Sequence, residues 1–254
     1  MKKADDLSIE KTLSFAAKCY AAKQTNTGDE VLAHCKRVAR QAEAIAQRMY
    51  QEMRPDYIPE NTKDSIAAIV HCGLLHDVLN VSACAFENVA EIANVQIAAM
   101  VAALSRDYRL IETKRDMEFR GRLSQSAIGT QIVAIADVIC TAKEVSKNID
   151  EFGLIAAPKA KKILAQLDGD LLAVHSANKY YALSLYSHAA RNLLVDISQK
   201  IKACRQQARL EKSLMQMKKN VQESLAAKEK TRKSKEKKVE MRYARKRNIR
   251  PDTE

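Results

Sequence analysis

Apolar residues recur every three or four positions through most of the chain, and nowhere do they alternate with polar ones over the length of a strand. That period predicts helices. The first clear stripe is Val31, Cys35, Val38, Ala42, Ile45 and Met49, and it follows Thr27-Gly28-Asp29, where Thr or Asp can cap a helix start. From about Asp64 to Leu79 the chain is apolar almost all round, through Ile66, Ala67, Ile69, Val70, Leu74 and Leu75, which predicts a helix buried on most sides. A third helix, about Ser126 to Val145, carries Ile128, Ile132, Ile135, Ile139 and Ala142 on its core side. Beyond a turn at Phe152-Gly153 and Pro158 come a helix ending near Asp168-Gly169 and a longer one. The longer one bears Tyr180, Tyr181, Leu183, Leu185, Tyr186 and Leu193, with the aromatics in packing roles. From about Ile201, Leu210, Leu214, Met217, Val221 and Leu225 form a narrow stripe suited to docking on another helix or to a short coiled coil in a homo-oligomer.

With 6 Gly, 4 Pro and no Trp among 254 residues, turn signals are few, and the fold class expected is all-α. Three blocks emerge: a helical body over 1–150, a helical segment over 151–200, and an extension over 201–254. No stretch approaches the roughly 18 apolar residues that cross a bilayer, and MKKADDLSIE has no apolar segment of signal-peptide type, so a cytoplasmic protein without a membrane partner is expected. The six cysteines form no CxxC pair and most lie in apolar stripes, which argues against disulfides and zinc knuckles.

Charge changes the picture only at one end. Lys202 to Arg250 holds 18 Lys or Arg against 5 Glu, whereas the preceding 201 residues hold 25 basic against 24 acidic. The end of this extension is almost devoid of apolar residues, with Tyr243 its one aromatic, and reads as a solvated helix fraying into disorder. Such a segment attracts polyanions by counterion release, which points to RNA, DNA or a ribosome; a solubilising charged helix is the bland alternative.

Candidate chemistry sits in the body. His34, then His76-Asp77, then Asp137 each fall on or beside the apolar face of a predicted helix. A carboxylate such as Asp137 is costly there unless a cation or donor compensates it. Two imidazoles and two carboxylates converging make a divalent-metal site, so a metal-dependent hydrolase is the first reading. His71, His175 and His188 lack partners at ligand spacing and read as structural.

The order H, HD, D resembles the HD superfamily of metal-dependent phosphohydrolases. Within it, FAAKCYAAKQTNTGDEVLAHCKRVARQA is similar to the opening of the RelA/SpoT-type alarmone hydrolase domain, and AAIVHCGLLHDVLN to its AALLHDxxED segment. VAALSRD is similar to its VxxLTxD segment and VAIADVICTAKEV to its KLADRLHNMRT helix, so that roughly residues 10–148 are covered in the family's order. The resemblance implies an HD-type helical bundle in which His34, His76, Asp77 and Asp137 bind one ion, expected as Mn²⁺. It implies a phosphorylated nucleotide as substrate, with pyrophosphate released from the 3′ position of guanosine 3′,5′-bis(diphosphate). Lys23 matches a basic substrate-binding position and Thr141 stands where the family has a nucleotide-contacting Asn.

The departures are as informative. Where the family carries Glu-Asp three and four residues after the metal Asp, this chain has Asn80 and Val81, and neither can accept a proton at neutral pH. Asn80 would instead orient a water, and Glu87 would substitute if the following loop folds back. Val138 and Cys140 replace the family's Arg and His on the last helix, which alters the purine pocket. The readings carried forward are an active phosphohydrolase, a degenerate nucleotide-binding regulator, and a nucleic-acid-associated protein working through its basic extension.

Overall fold

A computed structural model describes residues 7–52, 62–177 and 181–247. Ten α-helices account for almost all of them: α1 (Ile9–Tyr20), α2 (Val31–Glu52), α3 (Thr62–Leu75), α4 (Val78–Val81), α5 (Phe86–Ile92), α6 (Val95–Leu104), α7 (Glu112–Gln125), α8 (Ile128–Phe152), α9 (Ala157–Ala177) and α10 (Tyr181–Arg247). One isolated antiparallel bridge, Gln24 to Glu30, is the only β-type pairing among the described residues. The fold is all-α, as the apolar period predicts. Among the described residues no helix is long and apolar enough to cross a membrane.

The chain divides into two compact units, Met1–Ile201 and Lys202–Glu254. In the first, α2 lays its stripe of Val31, His34, Cys35, Val38, Ala42, Ile45 and Met49 against α3 and α8. α3 is the central element. Its residues from His71 to Leu75 are all buried, consistent with the nearly all-round apolar pattern, because α1, α2, α6 and α8 surround it. Segment 151–200 belongs to this same unit: α9 packs on α7 and α8. The first turns of α10 bury Leu183, Ala190, Leu194, Ile197 and Ile201, whereas Leu185 is exposed. Spacings of three and four starting at Leu183 pass through Ala190 and Leu194, so of the apolar residues noted on this helix Leu183 faces the core and Leu185 does not. Tyr180 lies outside the described residues. His175 and His188 meet edge-on at 5.0 Å between ring centroids, and His71 Nδ1 is 2.8 Å from the Thr12 hydroxyl, so each has a packing partner.

Two boundaries differ from expectation in ways that matter. α3 ends at Leu75 rather than near Leu79, because the His76 ring donates from Nδ1 to the Gly73 carbonyl at 2.8 Å and caps the last turn. His76 and Asp77 thus stand on a turn between α3 and α4, with Asp77 at φ −96°, ψ −4°, and are freed from the 100° separation of successive helical residues. α8 runs on to Phe152, beyond the expected Val145, and Gly153 at φ +51° terminates it.

In the second unit, every side chain from Arg209 to Arg242 is exposed, including Leu210, Leu214, Met217, Val221 and Leu225. The helical description extends to Arg247, and the expectation of fraying beyond it falls outside the described residues.

The distance between α2 and α3 is set at Gly73. A Cβ built there would lie 2.7 Å from the Ala39 Cα and 3.1 Å from its Cβ, so backbone meets backbone. Replacing Gly73 with Ala should raise helix propensity by about 1 kcal/mol, yet the overlap with a main-chain atom should cost about 1–3 kcal/mol. We expect net destabilisation of Gly73→Ala in urea unfolding; equal or greater stability would mean that this contact does not limit the approach of the helices.

Candidate metal centre

The loop before α2 is folded back on itself. Gly28 turns it at φ +97°, the Thr25 N–H donates to the Asp29 carbonyl at 2.8 Å, and the Val31 N–H donates to the Lys23 carbonyl at 3.1 Å. α2 then presents His34 inward, one turn after Val31, while the turn after α3 presents His76 and Asp77, and α8 presents Asp137.

These side chains come together. His34, His76 and Asp77 each offer a ligand atom within 4.8 Å of the others. Asp137 Oδ1 is 3.1 Å from His34 Nε2 and 4.0 Å from His76 Nε2, and the two imidazole centroids are 5.4 Å apart. His34 and His76 are buried, while about a third of the Asp137 side chain reaches solvent.

Each ligand candidate is held from behind. His34 donates from Nδ1 to Glu144 Oε1 at 2.7 Å; Asp77 Oδ1 accepts from the Asn80 amide at 3.0 Å; Asp137 Oδ1 accepts from the Thr141 hydroxyl at 3.1 Å. Because His76 donates through Nδ1 to Gly73, its Nε2 is the nitrogen that carries the lone pair when the ring is neutral. That nitrogen is buried and has no hydrogen-bond partner, with Asp77 Oδ2 3.7 Å away. A buried polar atom without a partner costs about 1–3 kcal/mol. A cation between His76, His34 and the two carboxylates removes that cost, so the donor set fits a divalent metal ion of borderline character.

Electrostatics agree with the geometry. Burial opposes protonation of His34, but the bonds to Asp137 and Glu144 outweigh it and lift its pKa to about 10. Burial likewise opposes the charged form of His76, and Cys35, Asp77 and Asp137 around it raise the value to about 10. Burial pushes the Asp137 carboxyl up, yet the bond from His34 and the charges of both imidazoles bring it down to about 2. Without a metal the site therefore attracts positive charge as protons.

The sequence reading missed Glu144. It is buried and accepts from the His34 ring, from Arg37 at 2.6 Å and, on its other oxygen, from the Thr27 hydroxyl at 2.6 Å. Such a carboxylate behind an imidazole fixes its tautomer and raises its basicity as a ligand. The signal was present as spacing: Asp137, Thr141 and Glu144 stand at i, i+4 and i+7 on one face of α8.

A cavity of about 220 Å³ opens from this cluster. Thr27, Asn80, Asp137 and Thr141 line its polar part, and α7, α8 and α9 supply Phe119, Leu123, Val133 and Leu167. Arg106 is the one Lys or Arg among the described lining residues. It stacks over Phe119 at 3.9 Å, and its guanidinium pairs with Asp116 at 2.7 Å and with Asp170. α9 thereby contributes directly to the cavity wall.

The remaining expected residues fall as follows. Thr141 lines the cavity, and Asn80 lines it with its amide committed to Asp77 and its oxygen accepting from the Arg106 N–H at 2.9 Å. Lys23 is not among the lining residues, because its ammonium donates to the Val81 carbonyl. Glu87 is exposed on the first turn of α5 and also lies outside the lining. The loop does not fold back, being pinned by the Ser82 hydroxyl, which accepts from the Cys84 N–H, and by Asn88, which accepts from the Ala85 N–H.

No family model and no curated protein sequence matches the chain. Among solved structures, it is similar to one described as a metazoan ortholog of SpoT that hydrolyzes ppGpp and plays a role in starvation responses. The TM-score is 0.53 at 13% identity, over 72% of this chain and 94% of that one. The chain thus shares an all-α fold with that protein, and at so low an identity the likeness shows the fold alone.

Two expectations follow. Since a metal must displace the protons that His34 and His76 hold below about pH 10, apparent affinity for Mn²⁺ should rise between pH 6.5 and 9. The slope should approach about tenfold per pH unit for each proton released, read by titration calorimetry; pH-independent affinity would contradict the arrangement. Glu144→Gln should weaken Mn²⁺ binding by about 10–100-fold with the fold retained, measured by the same titration together with circular dichroism.

Proposed function

We propose that the chain is a metal-dependent phosphohydrolase acting on a phosphorylated nucleotide, with His34, His76, Asp77 and Asp137 as ligands of one divalent ion. The observation that carries this reading is the partnerless, buried Nε2 of His76 facing two carboxylates and a second imidazole. Mn²⁺ suits two nitrogens and two carboxylate oxygens with open positions. The bound ion would supply Lewis acidity toward a phosphoryl oxygen and lower the pKa of a water.

The rest of the work belongs to the chain. Gly73 and Glu144 hold the two imidazoles in orientation, Asn80 holds Asp77, and Thr141 holds Asp137. Asn80 is thus a positioning residue rather than a proton acceptor, and Glu87 has no part in the proposal. Thr141 lines the cavity with its hydroxyl proton given to Asp137, so it can meet a substrate as an acceptor, whereas the Lys23 ammonium reaches one only by leaving the Val81 carbonyl. The apolar wall of Phe119, Leu123, Val133 and Leu167 suits a nucleoside.

Guanosine 3′,5′-bis(diphosphate), cleaved at its 3′ diphosphate, is the first substrate to test, on the combined ground of the motif resemblance and the fold likeness to a ppGpp hydrolase. One observation favours a less charged nucleotide as a second reading: the sole lining guanidinium is already engaged by two carboxylates. Incubation with Mn²⁺ of the bis(diphosphate), a guanosine triphosphate and a monophosphate, each with an Asp77→Ala control, decides between them. Pyrophosphate or phosphate release that disappears in the control is expected. Saturable nucleotide binding with no release from any of the three would contradict the hydrolase and leave a regulatory binder.

A further inference from the structure

We propose that residues 228–247, within α10, form a surface that binds B-form duplex DNA through its phosphates without reading base sequence. These 20 residues hold 11 Lys or Arg against 3 Glu. At 1.5 Å rise per residue the net charge of +8 recurs about every 4 Å of axis, close to the roughly 3.4 Å between phosphates along one DNA strand. The side chains from Lys228 to Arg242 are all exposed.

The distribution of charge selects the partner. At 100° per residue, Lys228, Lys230, Arg232, Lys233, Lys235, Lys237, Lys238 and Arg242 leave no sector of the helix wider than about 100° without a cation. A planar anionic lipid surface engages one side of such a helix and wants an apolar stripe beneath it, which Val239 and Met241 alone do not make. A groove bounded by two phosphate rows engages several sides at once, and the roughly 12 Å major groove of B-form DNA admits a helix of 10–12 Å diameter. The major groove of A-form RNA is deep and narrow and excludes it. Single strands are bound by stacking on aromatics, and Tyr243 is the only aromatic in the segment. A second copy of the same helix is repelled by like charge.

The helix itself carries a strain that such a ligand relieves. Lys228–Arg232, Lys233–Lys237 and Lys238–Arg242 place like charges four residues apart. Against them stand the i,i+4 pairs Lys233–Glu229 at 3.1 Å and Arg232–Glu236 at 3.4 Å. Phosphate rows neutralise that repulsion, so duplex binding stabilises the helix in this segment.

The test uses the full chain, a short DNA duplex of arbitrary sequence, the RNA duplex and DNA single strand of the same sequence, and phosphatidylserine vesicles. A variant carrying Lys233→Gln, Lys235→Gln, Lys237→Gln and Lys238→Gln is compared by fluorescence anisotropy, and circular dichroism at low salt reports helix content. The duplex DNA should bind most tightly and equally for unrelated sequences. Its affinity should fall on the order of 10³-fold between 50 and 200 mM salt, as about six released counterions require, and the variant should show a shallower slope. The helical signal of the native chain should persist to higher temperature when duplex DNA is bound. Tighter binding to RNA, to single strands or to vesicles, or an unchanged salt slope in the variant, would overturn the proposal.

Discussion

The main-chain contact between Gly73 and Ala39 is the constraint on which the site depends. It lets α3 lie against α2 closely enough that a histidine at the end of one helix and a histidine on the inner face of the other stand 5.4 Å apart. The same glycine provides the carbonyl that captures His76 Nδ1. One residue thus sets the spacing, ends the helix and selects the tautomer. α3 ends there, and Asp77, on the turn that follows, offers a ligand atom within 4.8 Å of those of His34 and His76.

Around that contact the polar groups form a chain of dependence. Arg37 and Thr27 hold Glu144, Glu144 holds His34, and His34 meets Asp137, which Thr141 steadies from the adjacent turn of α8. A network of this kind in a poorly solvated place rigidifies its members when all are satisfied. The one atom it leaves without a partner is His76 Nε2. The arrangement favours positive charge, and the elevated proton affinity of both imidazoles expresses the same preference.

How much of this was legible in the sequence depends on the kind of information needed. The helices follow from apolar spacing, and His34, His76, Asp77 and Asp137 could be singled out because polar groups on apolar faces need a reason to be there. Glu144 passed unnoticed because its role arises only when α2 and α8 are side by side. The end of α3 differs from expectation because the chain from Leu74 to Leu79 carries no Gly or Pro breaker, and the bond that closes the last turn comes from the His76 ring. Glu87 was considered on proximity in sequence, which says nothing about a loop pinned by its own Ser82 and Asn88. The contribution of α9 to the cavity wall had no such signal, because it depends on packing between segments distant in sequence.

The account rests most heavily on the claim that four side chains from three places in the chain share one cation. Diffraction data collected at the manganese edge from crystals grown with Mn²⁺ would address it without reference to any substrate. The account predicts a single strong anomalous peak about 2 Å from His34 Nε2, His76 Nε2, Asp77 and Asp137. An absent peak at saturating Mn²⁺, or one bound by carboxylates alone with His76 Nε2 still unpartnered, would contradict it.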